Sequence, residues 1–481
     1  MRKALYRDQP NLDLAINLDG VGMIYTALGK FDEGIVHAGQ ALTILQALYQ
    51  DIPSVDLANA LYNLGNGYNI TDAPYMGLEC AEKALEMRKK IYKHKAHSSI
   101  ALSLKSVGNS YIAIGDLQKG LQYQEQGLTM LKEIYGDSAN FDIAHYLESM
   151  GNTLYRLHNC VEALECRKQA LTMYEQLYND NTPNHVLARV NYDVSCSYNS
   201  LYDFKNGLVY GERALNMQRI LDQPNVDLAI TLHSVGMSYA SLDKIEEAVA
   251  CLEEALAILQ ELFQDEPNIE LANTLYDLGN FYTTLKDPLA GLKYAEKALE
   301  MHKLLHKNQA HTSVAISLGS VGRSHIAAGD VQKGLRYKKQ GLAMLKEIHE
   351  DKPHFDVASE LSYLGNGYLS TGDLQQGLQY KKQSLAMFQA IHKDQPHFNV
   401  ATALNGVGRA YQVLNDLSAA LEYKKKALET LRILKEKRYN TYIANTLDDM
   451  GDIAYSLGEY VQSAQYKKQA AEMCGANTSE E

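Results

Sequence analysis

Small and apolar residues recur along this chain at helical spacing, and the spacing itself repeats. In the stretch Asp227–Leu256 they fall at Ala229, Leu232, Val235 and Tyr239, with polar residues between them. Steps of three and four place them on one face of a 3.6-residue helix. The glycine after the third position serves as an anchor, and it recurs as Gly22, Gly65, Gly108, Gly151, Gly236, Gly279, Gly322, Gly365, Gly408 and Gly451, with Ser195 standing in once. The steps are 43 residues, except for 44 and 41 on either side of Ser195. A fixed period of this size marks stacked supersecondary units, none of which can bury its apolar face alone.

Each unit predicts two helices. The first carries an alanine seven positions before the anchor, from Ala15 to Ala444 without exception, which predicts close helix-to-helix approach. Turns such as Gln223-Pro224-Asn225 and Lys352-Pro353-His354 open it, because Pro cannot continue the preceding helix and Asn, Asp or Ser can cap the next. The second helix has a small residue twelve positions after the anchor, glycine at Gly34, Gly77, Gly120, Gly207, Gly291, Gly334 and Gly377. A mid-helix glycine costs about 1 kcal/mol relative to alanine, so this column predicts a tight packing seam. Another small column follows at +19.

The chain is therefore expected to be all-α, a solenoid of about eleven helix-turn-helix repeats filling residues 1–473, with a short polar tail at 474–481. AEKALEM at 81–87 returns at 295–301, so repeats 1–5 (about 10–221) are read as duplicated into repeats 6–10 (about 222–436), with repeat 11 at about 437–473. A local irregularity is expected at repeat five, where Asn191 and Ser195 break the pattern. Met1–Arg7 aligns with Met87–Lys93, the end of a second helix, which raises the reading that the chain is a fragment of a longer protein.

The pattern L-x-x-[VL]-G-x-x-Y, then a small residue, then Ala-Leu, resembles the tetratricopeptide repeat. The acidic, aliphatic, Ala lead-in after a Pro-containing turn, as in Glu266–Ala272, is similar to the longer repeats of kinesin light chains. Leu replaces the usual Trp, and 43 residues exceed the usual 34. The resemblance implies a right-handed superhelix whose concave wall is lined by first helices and binds peptides or proteins.

The net charge of -12 argues against a nucleic-acid partner, which needs a strong positive field. The acidity is uneven: residues 1–330 carry 27 Lys+Arg against 40 Asp+Glu, and residues 331–481 carry 19 against 18. Six cysteines without a CxxC are read as free thiols in a reducing cytosol. MRKALYRDQP lacks the apolar stretch of a signal peptide and no run is long enough to span a membrane, so a cytoplasmic location with no membrane insertion is expected, and the sequons at Asn69 and Asn477 are expected to stay unmodified.

Candidate binding residues are read from columns. Position +1 holds Asn66, Asn109, Asn152, Asn280 and Asn366, with Arg323 and Arg409 in the same column. Asparagine offers a donor and an acceptor, so a row of them can pair with the backbone of an extended peptide; equally, it tolerates solvent. Position -3 varies between repeats and adds Tyr62, Lys105, Glu148, Tyr192, His233, Tyr276 and Asn405; Tyr62, Tyr276, Arg323 and Arg409 are the anchors a partner would bury. Four repeats carry YKKQ or YKKK on the second helix, which would set Lys338, Lys381, Lys424 and Lys467 into a basic ridge, or into a solvated face whose stems cover apolar surface.

Catalytic chemistry has little support. His302 and His306 are spaced i,i+4 with no third ligand, so they read as an exposed pair, not a metal site. No P-loop, HExxH or GxSxG occurs. No enzyme activity, cofactor or metal is expected. The leading expectation is an adaptor that captures an extended segment of a protein partner in its groove; the alternative is the sensor arm of a larger signalling ATPase.

Overall fold

The computed structural model describes residues 11–50, 52–71, 73–136, 138–178, 182–221, 224–264, 266–434 and 440–478, with side chains to residue 473. The expectations for Met1–Arg7, Gln223, Cys474, the Asn477 side chain and the tail from 474 lie outside these. Among the described residues the structure is helical, with no strand. The helices are α1 (Leu12–Ala27), α2 (Phe31–Tyr49), α3 (Val55–Ile70), α4 (Pro74–Ile91), α5 (Ser98–Ile114), α6 (Leu117–Tyr135), α7 (Phe141–Arg156), α8 (Cys160–Leu177), α9 (His185–Ser200), α10 (Phe204–Leu221) and α11 (Val226–Ser241). They continue as α12 (Ile245–Phe263), α13 (Ile269–Thr284), α14 (Pro288–Leu305), α15 (Thr312–Ala327), α16 (Val331–Ile348), α17 (Phe355–Ser370), α18 (Leu374–Ile391), α19 (Phe398–Val413), α20 (Leu417–Leu434), α21 (Asn440–Ser456) and α22 (Tyr460–Thr478).

Two compact units emerge, Met1–Lys244 and Ile245–Glu481. Within each, a first helix packs on its own second helix, and that second helix packs on the next first helix. The alanine column is the axis of this packing: Ala58, Ala101, Ala229, Ala315 and Ala401 have no exposed surface. The small column at +12 forms the seam as expected. A Cβ on Gly22 would lie 2.9 Å from the Gly34 carbonyl oxygen, and one on Gly65 would lie 3.1 Å from that of Gly77.

Helix starts follow the polar side chains in the turns. Ser54, Asn140, Asn184, Asn225 and Asn268 accept from backbone N–H groups of the first turn. Histidine joins them in four repeats: His97, His311, His354 and His397 cap α5, α15, α17 and α19. Each of these rings also stacks on an aromatic five residues earlier, at 3.6 Å for Tyr92–His97 and 3.5 Å for His392–His397.

Repeat five departs from expectation. The helices α9 and α10 have 16 and 18 residues, like their neighbours, and the Ser195 hydroxyl donates to the Gly207 carbonyl at 2.6 Å, so it fills the seam instead of breaking it. The odd steps therefore fall between the end of α8 at Leu177 and the start of α9 at His185, and between the end of α10 at Leu221 and the start of α11 at Val226.

Candidate functional site

The YKKQ motif is a packing device. Its tyrosine stacks on the aromatic three positions after the anchor of the same repeat, as in Tyr368–Tyr380 at 5.4 Å and Tyr411–Tyr423 at 5.4 Å. Its second lysine reaches the equivalent ring of the next repeat, with Lys339 5.3 Å from the Tyr368 centroid and Lys382 5.1 Å from that of Tyr411. The first lysine turns inward. Lys338, Lys381 and Lys424 are only 3%, 5% and 1% exposed, so no basic ridge forms from them, nor a solvated face. Lys467, in the last repeat, is half-buried.

Each of these lysines sits sixteen positions after the anchor glycine and runs its stem across it. A Cβ on Gly322 would lie 2.7 Å from Lys338 Cγ, and one on Gly408 would lie 3.0 Å from Lys424 Cγ. The ammonium emerges between two first helices, where it meets the residue two positions before the next anchor. Gln124 Nε2 donates to Ser149 Oγ at 2.9 Å, Arg167 Nη1 to the Asp193 carbonyl at 2.8 Å, and Lys424 Nζ to Asp449 Oδ2 at 2.6 Å. Lys338 lies 5.1 Å from the Tyr363 ring centroid, and donates to the Gly319 carbonyl at 3.0 Å and to Glu360 at 3.5 Å. Lys467 pairs with Asp448 and Asp452 of its own repeat at 2.7 and 2.6 Å.

Lys381 differs. Its position -2 partner is Gly406, and among the described residues its ammonium donates only to Ser362 Oγ, at 2.8 Å. Burial, with the like charge of Arg409 adding to it, lowers its pKa to about 8.

The +1 asparagines split accordingly. Where position +16 is alanine, the serine at the next -2 position is free to donate to the asparagine: Ser106 to Asn66 at 2.7 Å and Ser320 to Asn280 at 2.6 Å. Asn152 accepts from Arg167 at 2.7 Å. The side-chain amides of Asn109 and Asn366 have no hydrogen-bond partner among the described residues. In the first unit Tyr62, Asn66 and Asn109 come together with Lys105, Ser106 and His145 around a depression of about 520 Å³ between α3, α5 and α7.

The -3 column carries buried charge that its assignment to an open face does not anticipate. Lys105 and Glu148 are 7% and 5% exposed. Burial lowers the Lys105 pKa to about 8. Glu148 accepts from Arg189 Nε at 2.8 Å and from the Tyr174 hydroxyl at 3.2 Å. Burial pushes its carboxyl up, but the bonds and charges of His145 and Arg189 outweigh that and hold it at about 2. In the second unit, the Arg323 guanidinium lies 5.3 Å from the exposed Tyr363 ring, Tyr276 is half-buried beside Asn280, and Arg409 is exposed on α19.

His302 is not exposed. It is 1% accessible, with Nδ1 2.7 Å from Ser317 Oγ, and burial lowers its pKa to about 4. His306 stacks on His311 at 3.4 Å. Among the described residues one trio has metal-ligand composition, His349, His354 and Asp356. The two rings stack at 3.5 Å and 11°, so their nitrogen lone pairs lie in parallel planes, and His354 Nδ1 already accepts from Asp356 N. No helix among the described residues is long and apolar enough to cross a membrane.

Comparison with known proteins agrees with this architecture. Residues 143–185, 228–268 and 356–433 match the tetratricopeptide repeat. No curated protein matches the chain. The apo form of RapI is similar in structure, with a TM-score of 0.60 and 13% identity over 79% of this chain and 99% of that one. A Rap protein complexed with competence and sporulation factor gives 0.51 and 13%, over the same shares. A Podosopora anserina protein assigned as a kinesin light chain, with nearly identical repeats, gives 0.38 and 14% over 42% of this chain and 95% of that one.

Proposed function

From the premise that the chain is a tetratricopeptide repeat protein whose long repeats resemble those of kinesin light chains, we propose that it captures an extended segment of a protein partner on the face shared by its first helices. The repeats make it a protein-interaction scaffold; the mode of capture is our reading. The observation that carries it is the depression around Tyr62, Asn66, Lys105 and Asn109. It offers an aromatic wall, amide groups and a cation in one place, which is the mixture that holds a peptide backbone and one or two anchor side chains. The Asn109 amide is the donor and acceptor pair for the backbone there, and Asn366 is its counterpart in the second unit.

Binding by a Rap protein of competence and sporulation factor is in keeping with a ligand-holding role for this architecture. We assign no catalytic role among the described residues: the hydroxyl that stands beside an imidazole, Ser317 at 2.7 Å from His302, is buried together with it. The setting we assign is the cytoplasm, where the thiols of Cys80, Cys160, Cys166, Cys196 and Cys251 stay reduced.

The test is site-resolved photo-crosslinking. A photoreactive phenylalanine analogue replaces Asn109 on the first-helix face or Glu125, which is exposed on α6, and both chains are irradiated in native cytosol. A discrete adduct from position 109, absent from position 125 and reduced by Tyr62→Ala, is the expected result. Adducts from position 125 alone would refute capture on this face.

A further inference from the structure

We propose that Lys381 and Arg409 form an oxyanion subsite on the first-helix face of the second unit, taking a carboxylate of an acidic partner segment. The inference rests on the capture reading above and gives it a chemistry. Three observations carry it.

The first is an imbalance of charge. In the four consecutive repeats with lysine at +16, Lys338 faces Glu360, Lys424 faces Asp449, and Lys467 faces Asp448 and Asp452. Among the described residues Lys381 has no carboxylate, although it is 5% exposed. A buried ammonium without a counter-charge is costly, and the fold leaves that cost in place.

The second is a missing side chain. The position that supplies Asp449 to Lys424 is Gly406 at Lys381. A Cβ built there would lie 3.5 Å from both Lys381 Cδ and Nζ, an ordinary contact. The three atoms nearest that Cβ all belong to Lys381, so an aspartate here would reach the ammonium directly, and Gly406 itself is partly exposed.

The third is a second cation. Arg409 projects from the same helix as Gly406, is exposed, and acts on Lys381 as a like charge. From α17 the facing group is Ser362, a neutral hydroxyl. Ammonium, guanidinium and hydroxyl together supply the donors a carboxylate needs, and the guanidinium can bind it with two parallel bonds.

The first arm of the test uses inorganic phosphate as a compact oxyanion and follows thermal unfolding at pH 7 against chloride at equal ionic strength. A saturable, phosphate-specific rise in Tm is expected for the intact chain. It should vanish in Lys381→Met and in Gly406→Asp, which supplies the counter-charge internally, and both variants should melt no lower than the parent. The rise should also fade by pH 10, where Lys381 is neutral. A rise retained in Lys381→Met, or no rise in the intact chain, overturns the subsite.

The second arm measures fluorescence anisotropy of an acetylated peptide alternating Glu and Ser against its Gln counterpart. Lys381→Met and Arg409→Gln should each weaken the Glu peptide by about tenfold or more. Equal, variant-insensitive binding of the two peptides overturns the subsite and leaves capture standing. A phosphate-specific rise with no peptide binding overturns the acidic segment as its occupant.

Discussion

A methyl group added at Gly20 and one added at Gly22 should act in opposite directions, although the two positions are neighbours on α1. A Cβ at Gly20 meets nothing within 4 Å, whereas at Gly22 it lies 2.9 Å from the Gly34 carbonyl oxygen and 3.1 Å from the Ala38 nitrogen. Both substitutions to alanine remove the same backbone entropy from the unfolded chain, a gain of about 0.5–1 kcal/mol in a helix interior. At Gly20 that gain stands alone. At Gly22 the contacts are backbone atoms, which cannot rotate away, so α1 and α2 must part by several tenths of an ångström. Overpacking of this kind costs about 1–3 kcal/mol. The two variants should therefore differ by about 1–3 kcal/mol, or roughly 5 °C in Tm for a cooperative unit of about 240 residues. Thermal melts by circular dichroism provide the measurement, with amide exchange on α1 and α2 to show that the change is local, as it should be where repeats contact only their neighbours. If Gly22→Ala stabilises the chain as much as Gly20→Ala does, the seam is not tight and the reading of the glycine columns fails.

Three further outcomes follow from the buried charges. Lys381→Met should raise stability at pH 7 by about 1–3 kcal/mol. Because the folded pKa of about 8 lies below the unfolded one, the advantage is full below pH 8 and shrinks as pH rises through 10.5; urea midpoints at pH 7 and pH 10 check it. Glu148→Gln should cost about 1–3 kcal/mol by breaking its charge-assisted bonds with Arg189, and Arg189→Met in the same chain should add little to that; additive losses in the double-mutant cycle would show that the two do not interact. His302 is held neutral in the fold, with a pKa of about 4. Its contribution is present above the unfolded value near 6.5 and is lost as pH falls toward 4, at up to about 1.4 kcal/mol per pH unit. His302→Leu should flatten the stability profile between pH 6.5 and 4.

The fold was legible because its determinants are local columns of small residues. Alanine seven before the anchor, glycine at the anchor and a small residue at +12 each report one close helix crossing, and eleven copies make the reading redundant. The fate of Lys338, Lys381 and Lys424 was not legible by the same route. A YKKQ run looks like solvent-facing polarity, and nothing within the motif says which lysine turns inward. Once inward, the side chain meets a residue of the next repeat, 25 positions on for Gln124–Ser149 and for Lys424–Asp449. The signal lay in a correlation between two columns. Long polar residues at +16 go with Ser149, Asp193, Tyr363 or Asp449 at the following -2 position, and Lys381 with Gly406 is the exception. His302 was misread for a similar reason, since its partner Ser317 lies across a turn on the next first helix.

This correlation decides which asparagines remain available to a partner. Two kinds of joint recur at position -2 between successive first helices. With alanine at +16, as at Ala81 and Ala295, the second helix sends no polar side chain from that position into the crossing, and the serine at -2 spends its hydroxyl on the preceding asparagine, occupying the side-chain carbonyl of Asn66 and of Asn280. With a long polar residue at +16, that residue takes the -2 group for itself. Gln124 draws Ser149 away from Asn109, and at Lys381 there is no side chain at -2 to bond Asn366. Among the described residues the +1 asparagines left without such a bond are therefore Asn109 and Asn366, one in each unit; Asn109 lines the same depression as Lys105, and Asn366 stands one helical turn after Ser362, the acceptor of Lys381. A uniform row of amides would read any peptide backbone alike. Under the proposed capture, two open amides with the cations Lys105 and Lys381 on the same face would instead favour a segment that carries a carboxylate close to the backbone group bound there.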